Sequence, residues 1–183
     1  MAMRYENQVA LLRGINLGAT RRVAMPRLRE LLSEAGFDDV RTYMQSGNVV
    51  LRSKLSEREL SERLAELIGT AFGFAVEVIV RSHEQLAETV QRNPLGSVAA
   101  DPKRYQVTFL DAEPEPKRVA TLSQLANGSE QLVAIGRELY SWHPDGAARS
   151  RLWSALAAKG ALGVPATARN WTTVNALLEM AGE

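Results

Sequence analysis

Two short segments combine residue types able to hold an anion: Arg13-Gly14-Ile15-Asn16-Leu17-Gly18 and Gln45-Ser46-Gly47-Asn48. An arginine guanidinium is a permanently charged, forked donor suited to phosphate or carboxylate. Asn16, Gln45, Ser46 and Asn48 supply amide and hydroxyl groups that orient a ligand through hydrogen bonds. Gly18 and Gly47 let the backbone approach a ligand closely, and Arg22 lies on the same connection as the first segment. The candidate ligand-binding set is therefore Arg13, Asn16, Gly18, Arg22, Gln45, Ser46, Gly47 and Asn48. The same residue types also shape turns and cap backbone groups, and type alone leaves both readings open. Neither Gly-x-Gly-x-x-Gly nor a Walker A pattern occurs, so no standard nucleotide loop is present.

A second candidate anion site comprises Ser150 and Arg151 with Thr167, Arg169 and Asn170, which precede or open the last two helices expected from the sequence. A Ser or Thr cap flanked by arginine binds an anion or simply caps its helix. His83 and His143 are the only histidines. Neither has a partner pattern nearby, and both read as surface residues, His83 in a first helical turn and His143 in a loop after Trp142. No metal site and no cofactor are expected. Asp38-Asp39 reads as a turn between a helix and a strand. The absence of Cys excludes disulfides, thiolate nucleophiles and zinc–thiolate sites, and fits a reducing compartment.

These loops need a scaffold. Val9 to Leu12 is a short apolar run and reads as a buried strand. Met25, Leu28, Leu31, Leu32 and Ala35 have helical spacing, with Pro26 at the start and Gly36-Phe37 as a Schellman-type ending. Val40–Gln45 and Asn48–Leu51 flank Ser46-Gly47 as a hairpin. Ser56 and Glu59 have capping-box spacing ahead of a helix through Leu60, Leu64, Leu67, Ile68 and Ala71. Val76, Val78 and Val80 mark a fourth strand, and Ser82 with Gln85 opens another helix stopped at Asn93-Pro94. The first half reads β-α-β-β-α-β.

The second half restarts the pattern. Arg104 to Leu110 parallels the first strand, and Gly136-Arg137 is a second tight hairpin between Leu132–Ile135 and Leu139–Trp142. The order β-α-β-β-α-α repeats the first unit with its final strand replaced or lost. The fold class is thus α+β, as two tandem ferredoxin-like βαββαβ-type units with antiparallel sheets. The first would span 1–81, a helix and linker 82–103, and the second, with C-terminal helices, 104–183. The first strand is apolar on both faces, so both need covering, and the two units are expected to pack into one body.

A βαββαβ sheet has strand order 4-1-3-2. The exit of strand 1 then lies beside the turn between strands 2 and 3, so the two polar segments share one rim. The helix starting near Met25 opens at that rim too, where its dipole favours an anion. Arg81 falls at the opposite end.

Composition sets the outer limits. The chain has 183 residues, 45% hydrophobic and 23% charged, with formal net charge +1. That suits a globular core and gives no strongly basic field for nucleic acid. No signal-peptide-like or membrane-spanning apolar run occurs, so a cytoplasmic protein without membrane partners is expected. An RNA-recognition sheet needs aromatics on adjacent central strands, and Tyr43 is the only aromatic in the first unit's strand set.

The ordered motifs Leu11–Gly18, Gln45–Val50, Gly136-Arg137-Glu138-Leu139-Tyr140 and Thr167–Val174 resemble the bacterial domain-of-unknown-function 1697 family, from about Tyr5 to Leu178. The resemblance implies a ferredoxin-like α+β architecture and no activity. Arg151 stands where the family often has Lys, and Thr172 where it often has Asn. That the matched motifs are polar and glycine-bearing rather than core segments adds weight to a site. Three functions follow: a protein binding a phosphate-bearing or nucleotide-like anionic small molecule at the Arg13/Asn48 cluster, a nucleic-acid-binding module, and a non-catalytic structural or regulatory interaction protein. The sequence names no reaction, and it does not set a homo-oligomeric state.

Overall fold

The computed structural model describes residues 5–183. One unit runs to Ala87 and takes in Leu177–Glu183, and the other is Glu88–Ala176. In the first, β1 (Glu6–Leu12), β2 (Asp38–Tyr43), β3 (Asn48–Ser53) and β4 (Val78–Ser82) form an antiparallel sheet of order β2-β3-β1-β4. Helices α1 (Met25–Glu34) and α2 (Glu57–Phe72) pack on it, and α3 (His83–Arg92) follows β4. The order is the expected one, and the structure is an α+β fold with two such sheets.

Local chemistry explains the elements. Met25, Leu28 and Leu32 form the buried stripe of α1. Its end is a Schellman turn, with Gly36 at φ 90°, Phe37 N–H donating to Leu32 O at 3.1 Å and Gly36 N–H to Ser33 O at 3.0 Å. Helix α2 opens on the capping box: Ser56 N–H donates to Glu59 Oε2 at 2.9 Å and Glu59 N–H to Ser56 Oγ at 3.3 Å. It buries Leu60, Leu64 and Ile68 and stops at Gly73 in the left-handed region. These residues meet Ala10, Leu12, Val49, Leu51, Val78 and Val80 in one core. Alternation along β1 puts Val9 and Leu11 on the other face, and both are fully buried. Asp38 opens β2 rather than lying in a turn before it, and a register shift between Asp38 and Arg41 accommodates Asp39 at φ 49°.

The second unit holds β5 (Tyr105–Leu110), α4 (Pro116–Ser123), β6 (Gln131–Ile135), β7 (Glu138–Trp142), α5 (Arg151–Ala157) and β8 (Ala166–Asn170), in sheet order β6-β7-β5-β8. Helix α6 (Trp171–Gly182) follows β8. The expectation that this unit's fourth strand is replaced or lost is wrong. Ala166–Asn170 is that strand; Thr167 and Arg169 lie within it, and Asn170 ends it at the start of the next helix.

With β8 in place the two units correspond in detail. Arg81 on β4 faces Val9, and Arg169 on β8 faces Val107. Arg81 Nη1 donates to Val80 O at 2.9 Å and Arg169 Nη1 to Ala168 O at 2.8 Å. At the far end of each first strand, Leu12 N–H donates to Gly47 O at 2.8 Å and Leu110 N–H to Arg137 O at 2.9 Å. The next residues do the same across the fourth strand's approach: Arg13 N–H to Glu77 O at 2.9 Å and Asp111 N–H to Pro165 O at 3.0 Å.

Candidate functional site

Antiparallel pairing of β1 with β3 aligns Leu11 with Asn48, so the exit of β1 and the first hairpin meet at one rim. Asn16 fixes the meeting. Its Nδ2 donates to Gln45 O at 2.7 Å and to Val23 O at 2.9 Å, and its Oδ1 accepts from Val23 N–H at 2.9 Å. The residue stands at φ 55°, a conformation asparagine tolerates better than most. Asn48 is fully buried. Its Nδ2 donates to Tyr43 O and Ser46 Oγ, both at 3.0 Å, closing the hairpin from inside. Gly47 stands at φ 82°, and a Cβ there would lie 2.7 Å from Leu12 Cβ. This glycine is set by close packing as well as by its turn.

Arginines at the rim are engaged unequally. Arg13 pairs with Glu77 at 3.2 Å, on side chains 24% and 43% exposed. Arg21 Nε donates to Gly14 O at 3.0 Å and Nη2 to Ala75 O at 2.7 Å, while the guanidinium lies 5.0 Å from the Phe74 ring centre. Arg22 is exposed and makes no hydrogen bond or ion pair among the described residues. The Gln45 side chain and Gly18 also face solvent. Beside them, Leu17 is 74% and Met44 68% exposed.

Helix α1 opens here with Ala24 as its N-cap. No side chain caps it and no acid lies in its first turn. Its first-turn N–H groups therefore have no capping side chain, apart from the one Pro26 lacks. Of five described non-glycine residues at positive φ, three (Asn16, Arg21 and Met44) belong to this rim. Of the amides expected to orient a ligand, Asn16 and Asn48 instead bind groups within the rim, and the groups left available are Arg22, Gln45 and the α1 terminus.

The second candidate set does not come together. Ser150 caps α5, accepting from Trp153 N–H at 2.9 Å, and hydrogen-bonds Glu130 just before edge strand β6. Thr167, Arg169 and Asn170 lie on β8, the opposite edge. Three interstrand steps, roughly 14 Å, separate those strands. Arg169 is only 8% exposed, donates to Thr167 Oγ1 at 2.9 Å, and is held by burial down to about 10, still charged at neutral pH. Asn170 Oδ1 accepts from Thr173 N–H at 2.9 Å as the cap of α6. Arg151 is exposed.

His143 overturns its reading as a surface residue, because its side chain is fully buried. Nδ1 lies 2.9 Å from Glu130 Oε1 and Nε2 2.9 Å from Ser141 Oγ. The Trp153 ring meets the imidazole edge-on at 5.5 Å. With Glu130 ionised, Nδ1–H donates to it and Nε2 accepts the Ser141 hydroxyl. That is the connectivity of a hydrolytic serine–histidine–acid chain. Ser141 sits inside β7 with no exposed surface, however, so a substrate carbonyl has no approach to it. The chain instead ties the β6 approach to the β7 exit. Its partners lie 13 and two residues from His143 in sequence, and no local motif announces them.

Among the described residues no group of three or more His, Cys, Asp or Glu side chains is placed to hold a metal ion. None of their helices is long and apolar enough to cross a membrane.

Two antiparallel β2-β3-β1-β4-type sheets with a polar rim on the first define a tandem ferredoxin-like α+β protein. A family model described as a protein of unknown function, DUF1697, matches residues 5–140, and the chain belongs to that family. Among solved structures, the conserved bacterial protein SP0830 from Streptococcus pneumoniae is similar, with 22% identity, a TM-score of 0.77, and coverage of 97% of this chain and 99% of that one. That likeness speaks to the fold. No curated protein matches the chain.

Proposed function

We propose that this protein binds a small molecule through a phosphate or carboxylate group at the rim formed by the start of α1, Arg22 and Gln45. The observation that carries the reading is the bare N-terminus of α1. It has neither a capping side chain nor an acid in its first turn, it starts three residues after the unpartnered Arg22, and Asn16 holds its approach beside Gln45. A helix N-terminus favours negative charge, and an arginine next to it adds a forked donor. Leu17 and Met44 flank the spot and suit an apolar portion of the ligand. Asn16, Asn48, Gly47 and Arg21 hold the rim in shape.

The test is amide NMR during titration with inorganic phosphate and with a set of nucleoside monophosphates. Saturable shifts at Met25, Arg27 and Leu28 are expected. Arg22→Ala should weaken the binding about fivefold or more without changing the unfolding midpoint, as expected for losing a charge-assisted contact. Ala24→Asp should block the anion by placing a carboxylate at the same N–H groups. Amides of α1 that stay unmoved across the whole panel would sink the reading.

A further inference from the structure

A groove of about 740 Å³ lies at the other end of the first unit, between the end of α1, the exit of β3 and the early turns of α2. None of the candidate residues lines it. Its apolar surface comes from Ala35, Phe37 and Leu55.

The charges along it are largely sorted by sign, with Arg63 a cation on the otherwise acidic side. Arg52 and Lys54 leave β3 on one lip, with the guanidinium 5.7 Å and the ammonium 4.5 Å from the centre of the Tyr5 ring. Neither makes an ion pair among the described residues. The other lip is α2, where Glu59, Glu62 and Glu66 recur at a spacing that keeps them on one face. Glu62 meets Arg58 at 2.9 Å and Glu66 meets Arg63 at 2.8 Å, yet both carboxylates remain about two-thirds exposed, at 66% and 67%.

This pattern selects among ligands. A simple anion drawn to Arg52 and Lys54 is repelled by three carboxylates across the groove, and a simple cation meets the reverse. A molecule with opposite charges at the two ends of an apolar body satisfies both lips and covers Phe37 and Leu55. We infer that the groove is a binding site for a zwitterion of the amino-acid or short-peptide type. Its carboxylate lies on Arg52 and Lys54, its ammonium faces Glu62 and Glu66, and its apolar side chain rests on Phe37 and Leu55. The volume suits such a ligand. The site is separate from the rim at α1 and stands without it.

The probe is the dipeptide alanyl-phenylalanine, titrated into the full chain at millimolar concentrations with amide NMR, alongside its N-acetyl and C-amide forms. Saturable shifts are expected at Tyr5, Lys54 and Glu62. Removing either terminal charge should weaken binding by about tenfold. Lys54→Gln should weaken the free and N-acetyl peptides and leave the C-amide unchanged, whereas Glu66→Gln should do so for the free and C-amide forms. Both residues are exposed, so unfolding midpoints serve as the control. Arg22→Ala should leave this binding intact, which separates it from the rim. Equal binding of all three peptides, shifts that map elsewhere, or no saturable shift at all would overturn the assignment.

Discussion

Asn16 Nδ2 donates to the carbonyl oxygen of Gln45 at 2.7 Å, and that bond joins the exit of the first strand to the tip of the first hairpin. Two further bonds to Val23 complete a three-way tie. Asn16→Ala should cost about 2–3 kcal/mol of stability, through unmet backbone groups and a side chain forced to positive φ. Asn16→Gly keeps the φ and should lose less. Urea unfolding measures both, and a loss below about 0.5 kcal/mol for the alanine variant would show the tie to be inert.

Gly47 and Gly18 offer a matched contrast. Both have positive φ, 82° and 76°, but only at Gly47 would a Cβ collide with a neighbour. Gly47→Ala should cost about 2–4 kcal/mol, whereas Gly18→Ala should cost about 1 kcal/mol from φ alone. Equal losses on thermal unfolding would mean that Leu12 moves aside without penalty.

Glu130 should impose an acid limb on stability. Desolvation raises its pKa, but hydrogen bonds from His143, Ser150 and the Asn127 N–H outweigh this and hold it below the ordinary value of 4.5. A depressed folded-state value means that the stabilisation is complete above the unfolded value and disappears as pH falls through the folded one. Unfolding midpoints between pH 7 and about pH 3 should therefore fall less steeply for Glu130→Gln than for the natural chain. Parallel curves would contradict the assignment.

Ser82 and Asn170 occupy corresponding places, one residue past the buried arginines and at the head of a helix. Gln85 N–H donates to Ser82 Oγ at 3.2 Å and Thr173 N–H to Asn170 Oδ1 at 2.9 Å. Replacing either by Ala should cost about 1 kcal/mol, the usual loss for a helix cap. A much larger loss at only one of them, read by urea unfolding, would break the correspondence.

Much of the architecture was legible because periodicity and punctuation agreed. The capping boxes at Ser56/Glu59 and Ser82/Gln85, the Gly36-Phe37 ending and the Gly47 hairpin each mark a boundary with its own local chemistry. From these the strand order, and hence the shared rim, followed by topology. Strand β8 was hidden because its buried positions are Thr167 and Arg169, so the apolar alternation that marks a strand is missing. Its burial depends on pairing with β5, 56 or more residues away, which no local window contains. His143 was misread for a related reason, since a histidine's partners are set by sheet pairing. At the rim, residue type picked out loops that topology brings together but not which of their groups face backbone. An asparagine that bridges loops and one that binds a ligand have the same spelling.

The first hairpin closes over four residues between Tyr43 and Asn48, and the second over two between Ile135 and Glu138. Both deliver the same backbone bond to the first strand of their unit. Corner length is thus decoupled from strand alignment, and extra chain can be accommodated there without slippage. A peptide tag or a grafted recognition segment would sit best at the shorter corner, Gly136-Arg137, leaving the Met44-Gln45 tip untouched.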